Sequence, residues 1–596
     1  MENVKNKSKS ELIWEEAEKG KAYQESMGFR KNFPEIIRFK EGDQWPAPTR
    51  DTKNFPRPVF NITEMFIRNK RAATTNQTLT ISYTPLEVNE ENMESAREGA
   101  DKYGDYSKVV WENIDQDELN NEFVDDALTL GTGALHYFWD KKAHGGNTLE
   151  YMGELKGEII DILNIYFANP RIRNVQKQEY IIIETRMNVK EARTLAKENG
   201  ANDLELELIK PDDYKDVYDN DYKVQKDDDV TVLIKYYKKD GVVYYSKSTR
   251  SVMLIDEQEL TPVVSEELAD EEVIIGEGQE EIVVDNEQQE IAVKTAKITI
   301  YPIVLLTYKR RKKCIYGIGE AQDIIPVNKL YNQLKGMIAL HVIRNGNPNI
   351  LAKPGALKQK LTNGSGQTII DYYMGGGDGI KYMQPPNFSG EYSKIATEIF
   401  EMSRIITGNT EVSSGEVLGA NMAASAIIAL QNQAKTPIKE FQSRYFSAMK
   451  EVGDIFCQFY KTYYSTTRLM SVEKNGKMET RAFKGTDYAN IDFKTKVEVT
   501  SSAEKESLTM SILENMKAAG DITKEQYVEL APESAMPQKA KIKEMWGNEN
   551  KQKELLMQAM EQIKHYRELL GEKTENPMQG GMLSEMQTVS NGNVNR

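Results

Sequence analysis

The stretch from Thr407 to Tyr464 restricts the possible architecture more than any other. It opens as a run of small and polar residues (TGNTEVSSGEVLGANMAAS) and passes directly into an apolar series at Ile427, Leu430, Ala434, Ile438, Phe441, Tyr445, Ala448, Val452, Ile455, Phe459 and Tyr463. The steps alternate mainly between three and four, which places these side chains on one face of a single long helix. Pro437 interrupts the series. Because proline has no N–H and clashes with the preceding turn, it predicts a kink that packing can bridge. About forty residues at 1.5 Å each make a rod of roughly 60 Å. A rod of that length, fed by a polar loop, fits a mechanical element better than a catalytic pocket.

The 596 residues, 39% apolar and 28% charged, suffice for about three or four folded domains. No apolar core follows MENVKNKSKS, and the longest charge-free apolar run, Tyr301 to Tyr308, falls far short of the roughly 20 residues that span a bilayer. The expectation is a cytosolic protein with no membrane partner. Cys314 and Cys457 are far apart and form no CxxC pair, so buried reduced thiols are expected instead of a disulfide framework or a thiolate zinc site. His136, His144, His341 and His565 form no metal-binding spacing. The net charge of −15 is unevenly placed: Ser251 to Val293 holds 14 acidic residues and no Lys or Arg, leaving −1 for everything else. The overall charge therefore says little about any DNA-facing surface. The acidic insert itself reads either as a solvated β-hairpin or surface loop, or as a docking surface for a basic partner.

Taken in order, Glu11 to Lys21 is helix-prone. The Gly/Pro-rich segment after it reads as a loop with aromatic anchors at Phe39, Trp45 and Phe55, and Asn61 to Arg71 as a capped helix. Leu79 to Tyr83 is a strand, and Glu90 to Asn113 and Glu118 to Leu130 are helices, the second stopped by GTG. Leu135 to Trp139 and Ile159 to Ala168 are strand-like. Gly42, Gln44 and Trp45, RPVFN at Arg57 to Asn61, a polar strand ending in Pro85, LGTGALHYFWD, and ILNIYFANPRIRN followed by EYIIIETRMNVKEAR occur in an order that resembles the N-terminal part of portal proteins of tailed bacteriophages, of the long, podovirus-type family.

Asp229 to Tyr245 alternates around Asp240-Gly241 as a hairpin, and Ile298 to Tyr308 is a strand. KRRKK at Lys309 to Lys313 is the most basic run and reads as a phosphate contact or an exposed turn. Ala321 to Asn345 is a helix with an apolar face of Ile324, Val327, Leu330 or Tyr331, Leu334, Met337 or Ile338, and His341, with Asn328, Asn332 and Lys335 elsewhere on its surface. His341 thus reads as an interior, hydrogen-bonded residue. Two short β runs, Asn349 to Lys353 and Gln367 to Tyr373, follow, and GGGDG at Gly375 to Gly379 reads as a turn, since no Lys-Ser/Thr pair or helix start comes after it. Ser389 to Ile406 is helical, Met470 to Thr500 alternates as antiparallel β structure, Ala503 to Ala518, Lys524 to Leu530 and Pro537 to Gly571 are helical, and the residues after Glu572 lack periodicity.

Helix, small β module, helix, polar loop and long helix is the order of parts in those portal proteins. The resemblance implies an α+β portal fold: an α/β wing over 1–320 with the acidic insert at about 251–293, a stem helix at 321–346, a clip at 347–388, a second stem helix at 389–408, and a tunnel loop at 409–425. A long kinked wing helix with wing β structure follows at 426–502, then crown helices at 503–571 and a disordered tail at 572–596. It further implies a homo-oligomeric ring, twelve subunits by family, at one capsid vertex of a virion assembled in the host cytoplasm. Double-stranded DNA would be packaged and ejected through the ring. Terminase large subunit, a head-tail adaptor, and major capsid and scaffolding proteins would be the partners.

Absence of GxxxxGK[ST], GxSxG, zinc signatures and Cys/His nucleophile arrangements argues against an enzyme, so no catalytic, cofactor-binding or metal-binding residue and no cofactor is expected. A DNA-processing nuclease and a non-phage coiled-coil scaffold are the alternatives. In the portal reading, Asn409, Thr410, Glu411, Ser413, Ser414, Gly415, Glu416, Gly419 and Asn421 form the tunnel loop, which carries no Lys or Arg between 409 and 425 and so touches duplex without holding it. Lys329, Lys335, Arg344, Lys358, Lys360 and Lys381 contact phosphate or acidic groups of a neighbouring subunit, and Pro437 is the helix kink.

Overall fold

The computed structural model describes residues 8–86, 93–143, 153–212, 217–218, 228–261, 296–345, 350–352, 369–371, 380–382, 390–408, 436–474, 477–501 and 503–531, with 536, 539, 541–542, 556–563 and 565–566. They fall into two compact units, 1–500 and 501–596. The proposed tunnel loop, residues 262–293 of the acidic insert, and the tail lie outside the described residues, while the first part of the insert forms a strand, Met253–Glu259, instead of a separate loop.

The first unit opens with α1 (Lys9–Ser26), whose Ser8 and Glu11 form a reciprocal capping box, and α2 (Phe29–Glu41). The expected loop around Phe39 is instead this second helix. Phe29, Phe33, Ile36 and Phe39 recur at helical spacing and are all buried, and that burial outweighs the local cost of Pro34. The loop starts only at Gly42, whose φ of 109° ends the helix. Next come α3 (Ile62–Thr75), capped by Asn61, then β1 (Thr78–Pro85), α4 (Met93–Asn113), α5 (Gln116–Thr129) and β2 (Thr132–Asp140).

Where one strand was expected over 159–168, the chain forms β3 (Glu154–Ile159), a turn of 3₁₀ helix at Ile162–Asn164 and β4 (Ile165–Phe167). The Asp161 carboxylate accepts from the Leu163 N–H at 2.9 Å, a local side-chain cap that breaks the extended run. The chain continues through β5 (Tyr180–Asn188), α6 (Val189–Glu198), α7 (Asp203–Leu208), β6 (Asp229–Lys239), β7 (Val242–Ser248), β8 (Met253–Glu259) and β9 (Ile303–Thr307). The hairpin expected at Asp240-Gly241 is present, both residues having positive φ.

Two antiparallel sheets result, ordered β3-β2-β9 and β4-β5-β6-β7-β8. Then follow α8 (Glu320–Asn345), the short strands β10 (Ile350–Ala352), β11 (Ile369–Asp371) and β12 (Ile380–Tyr382) in the order β11-β10-β12, and α9 (Glu391–Thr407). The long helix α10 is described over Thr436–Tyr463, about 42 Å at 1.5 Å per residue. Pro437 is its second described residue; Ile427, Leu430 and Ala434, and hence any kink upstream, lie outside the described residues. β13 (Arg468–Lys474) and β14 (Lys477–Phe483) form the expected hairpin, and β15 (Phe493–Ser501) pairs with β1.

The core of this unit is built around α10. Ile438, Phe441, Tyr445, Ala448, Val452, Ile455 and Phe459 are buried as the periodicity requires, joined by Met449, Phe456 and Tyr460. Phe456 meets Tyr137 edge-on, Tyr460 meets Tyr103 and Tyr106, and Phe441 meets Tyr308. Gly453 marks the closest approach: a Cβ there would lie 2.4 Å from Thr495 Cγ2. Cys314 and Cys457 are buried free thiols, as expected, and burial pushes the Cys457 thiol up to about 12. The second unit contains α11 (Ala503–Ala519) and α12 (Lys524–Leu530), held by Leu513, Tyr527, Val528 and Ala531.

Candidate functional site

Helix α8 is fixed at its start by a crossing of two glycine-containing segments. Gly131 has φ 101°, and a Cβ there would lie 2.7 Å from the Gly317 carbonyl carbon, while one at Gly319 would lie 2.2 Å from the Thr129 carbonyl oxygen. Only glycine permits that approach. The GTG of α5 therefore does more than stop a helix: it seats the entry to α8.

Beside the crossing, Lys70 and Glu320 form a buried ion pair, and Lys70 Nζ donates to Tyr308 Oη at 3.0 Å. Burial pushes the Lys70 ammonium down and the Glu320 carboxyl up, each opposed by the attraction of its partner. Burial, with Glu320 beside it, also raises the Tyr308 hydroxyl. Tyr308 in turn accepts at its backbone carbonyl from Arg444 of α10, so one residue links the start of α8 to α10.

Further along α8, Asn328, Asn332 and Gly336 recur every fourth residue and face the segment between α2 and α3. Asn328 Oδ1 accepts from the Thr63 N–H at 3.0 Å and its Nδ2 donates to the Phe60 carbonyl at 2.8 Å. Asn332 Oδ1 accepts from the Phe60 N–H at 3.0 Å, and its Nδ2 donates to Gln44 Oε1 at 2.6 Å. Gln44 Nε2 donates onward to the Phe39 carbonyl and to Asn61 Oδ1, the same oxygen that caps α3. Trp45 Nε1 donates to the Pro58 carbonyl at 2.9 Å, and a Cβ on Gly336 would meet Phe55 at 2.7 Å. The Gly-x-Gln-Trp and RPVFN motifs are thus the two jaws of a polar clasp around α8.

The clasp adds a polar side to the buried face of this helix: Ile324 is buried and Val327, Tyr331, Leu334 and Ile338 are half-buried, as expected. Asn328 and Asn332 are 0% and 1% exposed, whereas Leu330 is 47% and Met337 49% exposed. Val342 and Ile343 are exposed too, and His341 is half-buried instead of interior. Helix α9 likewise buries small and polar residues: Ala396, Ser403 and Thr407 are buried, while Ile395, Met402, Ile405 and Ile406 are exposed, Ile405 at 72%. Phe400 is the aromatic tie, stacking on Phe66 and meeting Tyr331. Buried asparagines need complete hydrogen bonding, which the jaws supply. Apolar periodicity alone carried no sign of this; the repeat of Asn328, Asn332 and Gly336 at i, i+4 and i+8 was the available signal.

Of the six basic candidates, Lys329 is exposed and lies over the Phe39 ring at 5.6 Å, and Lys335 is half-buried over the Tyr331 ring at 5.2 Å. Arg344 is exposed near the end of α8. Lys381 sits on β12 opposite Leu351, and Lys358 and Lys360 lie outside the described residues. So do all the tunnel-loop candidates, Asn409 to Asn421. Among the described residues no group of His, Cys, Asp or Glu is placed to hold a metal ion, and no helix is long and apolar enough to cross a membrane.

An α+β body carrying a helix, a small β module and a second helix in that order defines the class to which comparison then gives a name. The model of the phage P22-like portal protein family matches residues 20–579 of the 596. The chain belongs to this family, and is a portal protein of a tailed phage, a structural component of the virion at a capsid vertex. No curated protein matches it.

Proposed function

We propose that this chain assembles into a homo-oligomeric ring, of twelve copies as in the family it belongs to, and that double-stranded DNA is packaged and ejected through its axial channel. The observation that carries the ring is the pair α8 and α9, which turns its asparagines and small residues to its own chain and leaves Leu330, Met337, Val342, Ile343, Ile395, Met402, Ile405 and Ile406 in solvent. A row of exposed apolar side chains on two adjacent helices is a surface meant for covering, and identical copies arranged around an axis cover it repeatedly.

In this reading α8 and α9 are the stem, β10 to β12 the clip, α10 with β13 to β15 part of the wing, and the second unit the crown. Residues 409–425, with Glu411 and Glu416 as the only charges, form a constriction that meets DNA without neutralising its phosphates. Terminase large subunit and a head-tail adaptor dock at the clip, and capsid and scaffolding proteins around the wing.

Electron microscopy of the purified protein tests the assembly. Wild-type protein is expected as rings with a central hole, and Val342→Glu with Ile405→Glu as dispersed monomers of unchanged fold. Monomeric wild-type protein at micromolar concentration, or intact rings in the double variant, would overturn the reading.

A further inference from the structure

We propose that the loops 169–173 and 309–313 together form a second, sequence-independent binding surface for the phosphate backbone of duplex DNA, on the body of the protein beside the start of α8. Neither loop is conspicuous by itself, but the fold joins them. Arg173 donates its guanidinium to the Arg311 carbonyl, and the Ile315 N–H donates to the Pro170 carbonyl at 2.8 Å. Arg171 and Arg311 both lie close enough to Tyr23 to lower its hydroxyl against the larger effect of burial. One patch therefore gathers Arg171, Arg173, Arg310, Arg311, Lys312 and Lys313, all exposed except Arg311, which is half-buried with its guanidinium over the Phe29 ring at 5.4 Å.

The patch is also held rigidly. Gln178 Nε2 donates to the Asn169 and Ile172 carbonyls at 3.0 and 2.8 Å, and the Asn169 side chain accepts from the Arg171 N–H. Lys313, at φ 52°, turns the second loop. Two neighbouring carboxylates are engaged elsewhere, Asp323 with Lys309 and Glu440 with Arg444, so the charge of the six is not cancelled locally. Like charges fixed side by side cost stability, and a polyanion relieves that cost.

Nucleic acid fits this surface better than a protein does. A protein partner needs an apolar centre to the contact, and Ile172, 37% exposed, is the one large exposed apolar residue in either loop. Backbone phosphate recognition needs only positioned cations, the guanidinium forks of arginine above all. The amides available for reading bases, Asn169 and Asn174, are occupied in capping their own loops. The binding is accordingly independent of sequence and steeply dependent on salt. None of this depends on ring assembly, because both loops belong to one chain.

The experiment is a salt titration of the full-length protein with a fluorescent duplex of about 30 base pairs, comparing wild type with Arg171→Ala, Arg310→Ala and Lys312→Ala combined. Losing three phosphate contacts should lower the slope of log K against log salt by about 2.7, at roughly 0.9 per contact. Ring formation and melting temperature should be unchanged, and Arg310→Lys with Lys312→Arg should keep the wild-type slope. Should the triple variant misfold, Arg310→Ala alone is expected to lower the slope by about 0.9. Equal affinities and slopes for wild type and variant would overturn the proposal. So would a wild-type protein that ignores duplex but retains a synthetic peptide of residues 262–293, since the patch would then serve an acidic protein segment.

Discussion

Helix α10 and the α8/α9 pair are both long and rich in apolar residues, but the fold buries those residues to very different extents. Along α10 the apolar stripe is interior: Phe441, Tyr445, Val452, Phe456, Phe459 and Tyr460 share one core with residues of α3, α4, β2 and β9 of the same chain. Along α8 and α9 the interior is shared with asparagine, serine, threonine and glycine, and Leu330, Met337, Val342, Ile343, Ile395, Met402, Ile405 and Ile406 are left exposed. Burying an apolar stripe is favourable in either setting, but only the partner available decides whether the burial stabilises a fold or an assembly. The first region makes the body; the second is, in the function proposed above, the part that neighbouring copies cover.

That contrast can be broken by substitution. The largest effect is expected at Phe456, whose truncation to Ala leaves a cavity against Tyr137 and should cost about 3–5 kcal/mol, measured by chemical denaturation. A smaller loss, about 1–3 kcal/mol by the same measurement, is expected for Asn332→Ala. It strips the Phe60 N–H of its acceptor and removes the shorter of the two bonds to Gln44 Oε1, although the position looks like helix surface in the sequence. Ile405→Ser should change the stability of the unassembled chain by no more than about 0.5 kcal/mol while weakening ring assembly, seen by light scattering. If Ile405→Ser destabilised the isolated chain as much as Phe456→Ala, the distinction between the two regions would fail.

The basic patch sharpens the same lesson. KRRKK is visible in the sequence and invites a phosphate reading, but five consecutive charges on a flexible turn would bind weakly. What gives the run a defined surface is the NPRIR loop, about 140 residues earlier in the chain, brought alongside by the Arg173 and Ile315 hydrogen bonds. No local signal could have paired them.

The sequence by itself determined most of the elements: the capped start of α3, the Asp240-Gly241 hairpin, the order of helix, small β module, helix and long helix, and the buried face of α10. These follow from spacing, capping and turn chemistry, which act over a few residues. It also carried the family, because ordered motifs persist where composition does not. Only the tertiary structure decided that Phe39 ends a helix instead of anchoring a loop, that Gln44 and Asn61 grip α8 through Asn328 and Asn332, and that Leu330, Met337, Val342 and Ile343 of α8 face outward. The physical reason is common to all three. A polar side chain becomes interior only when distant backbone groups satisfy it, and an apolar one becomes exterior only when such a clasp has already claimed the opposite face.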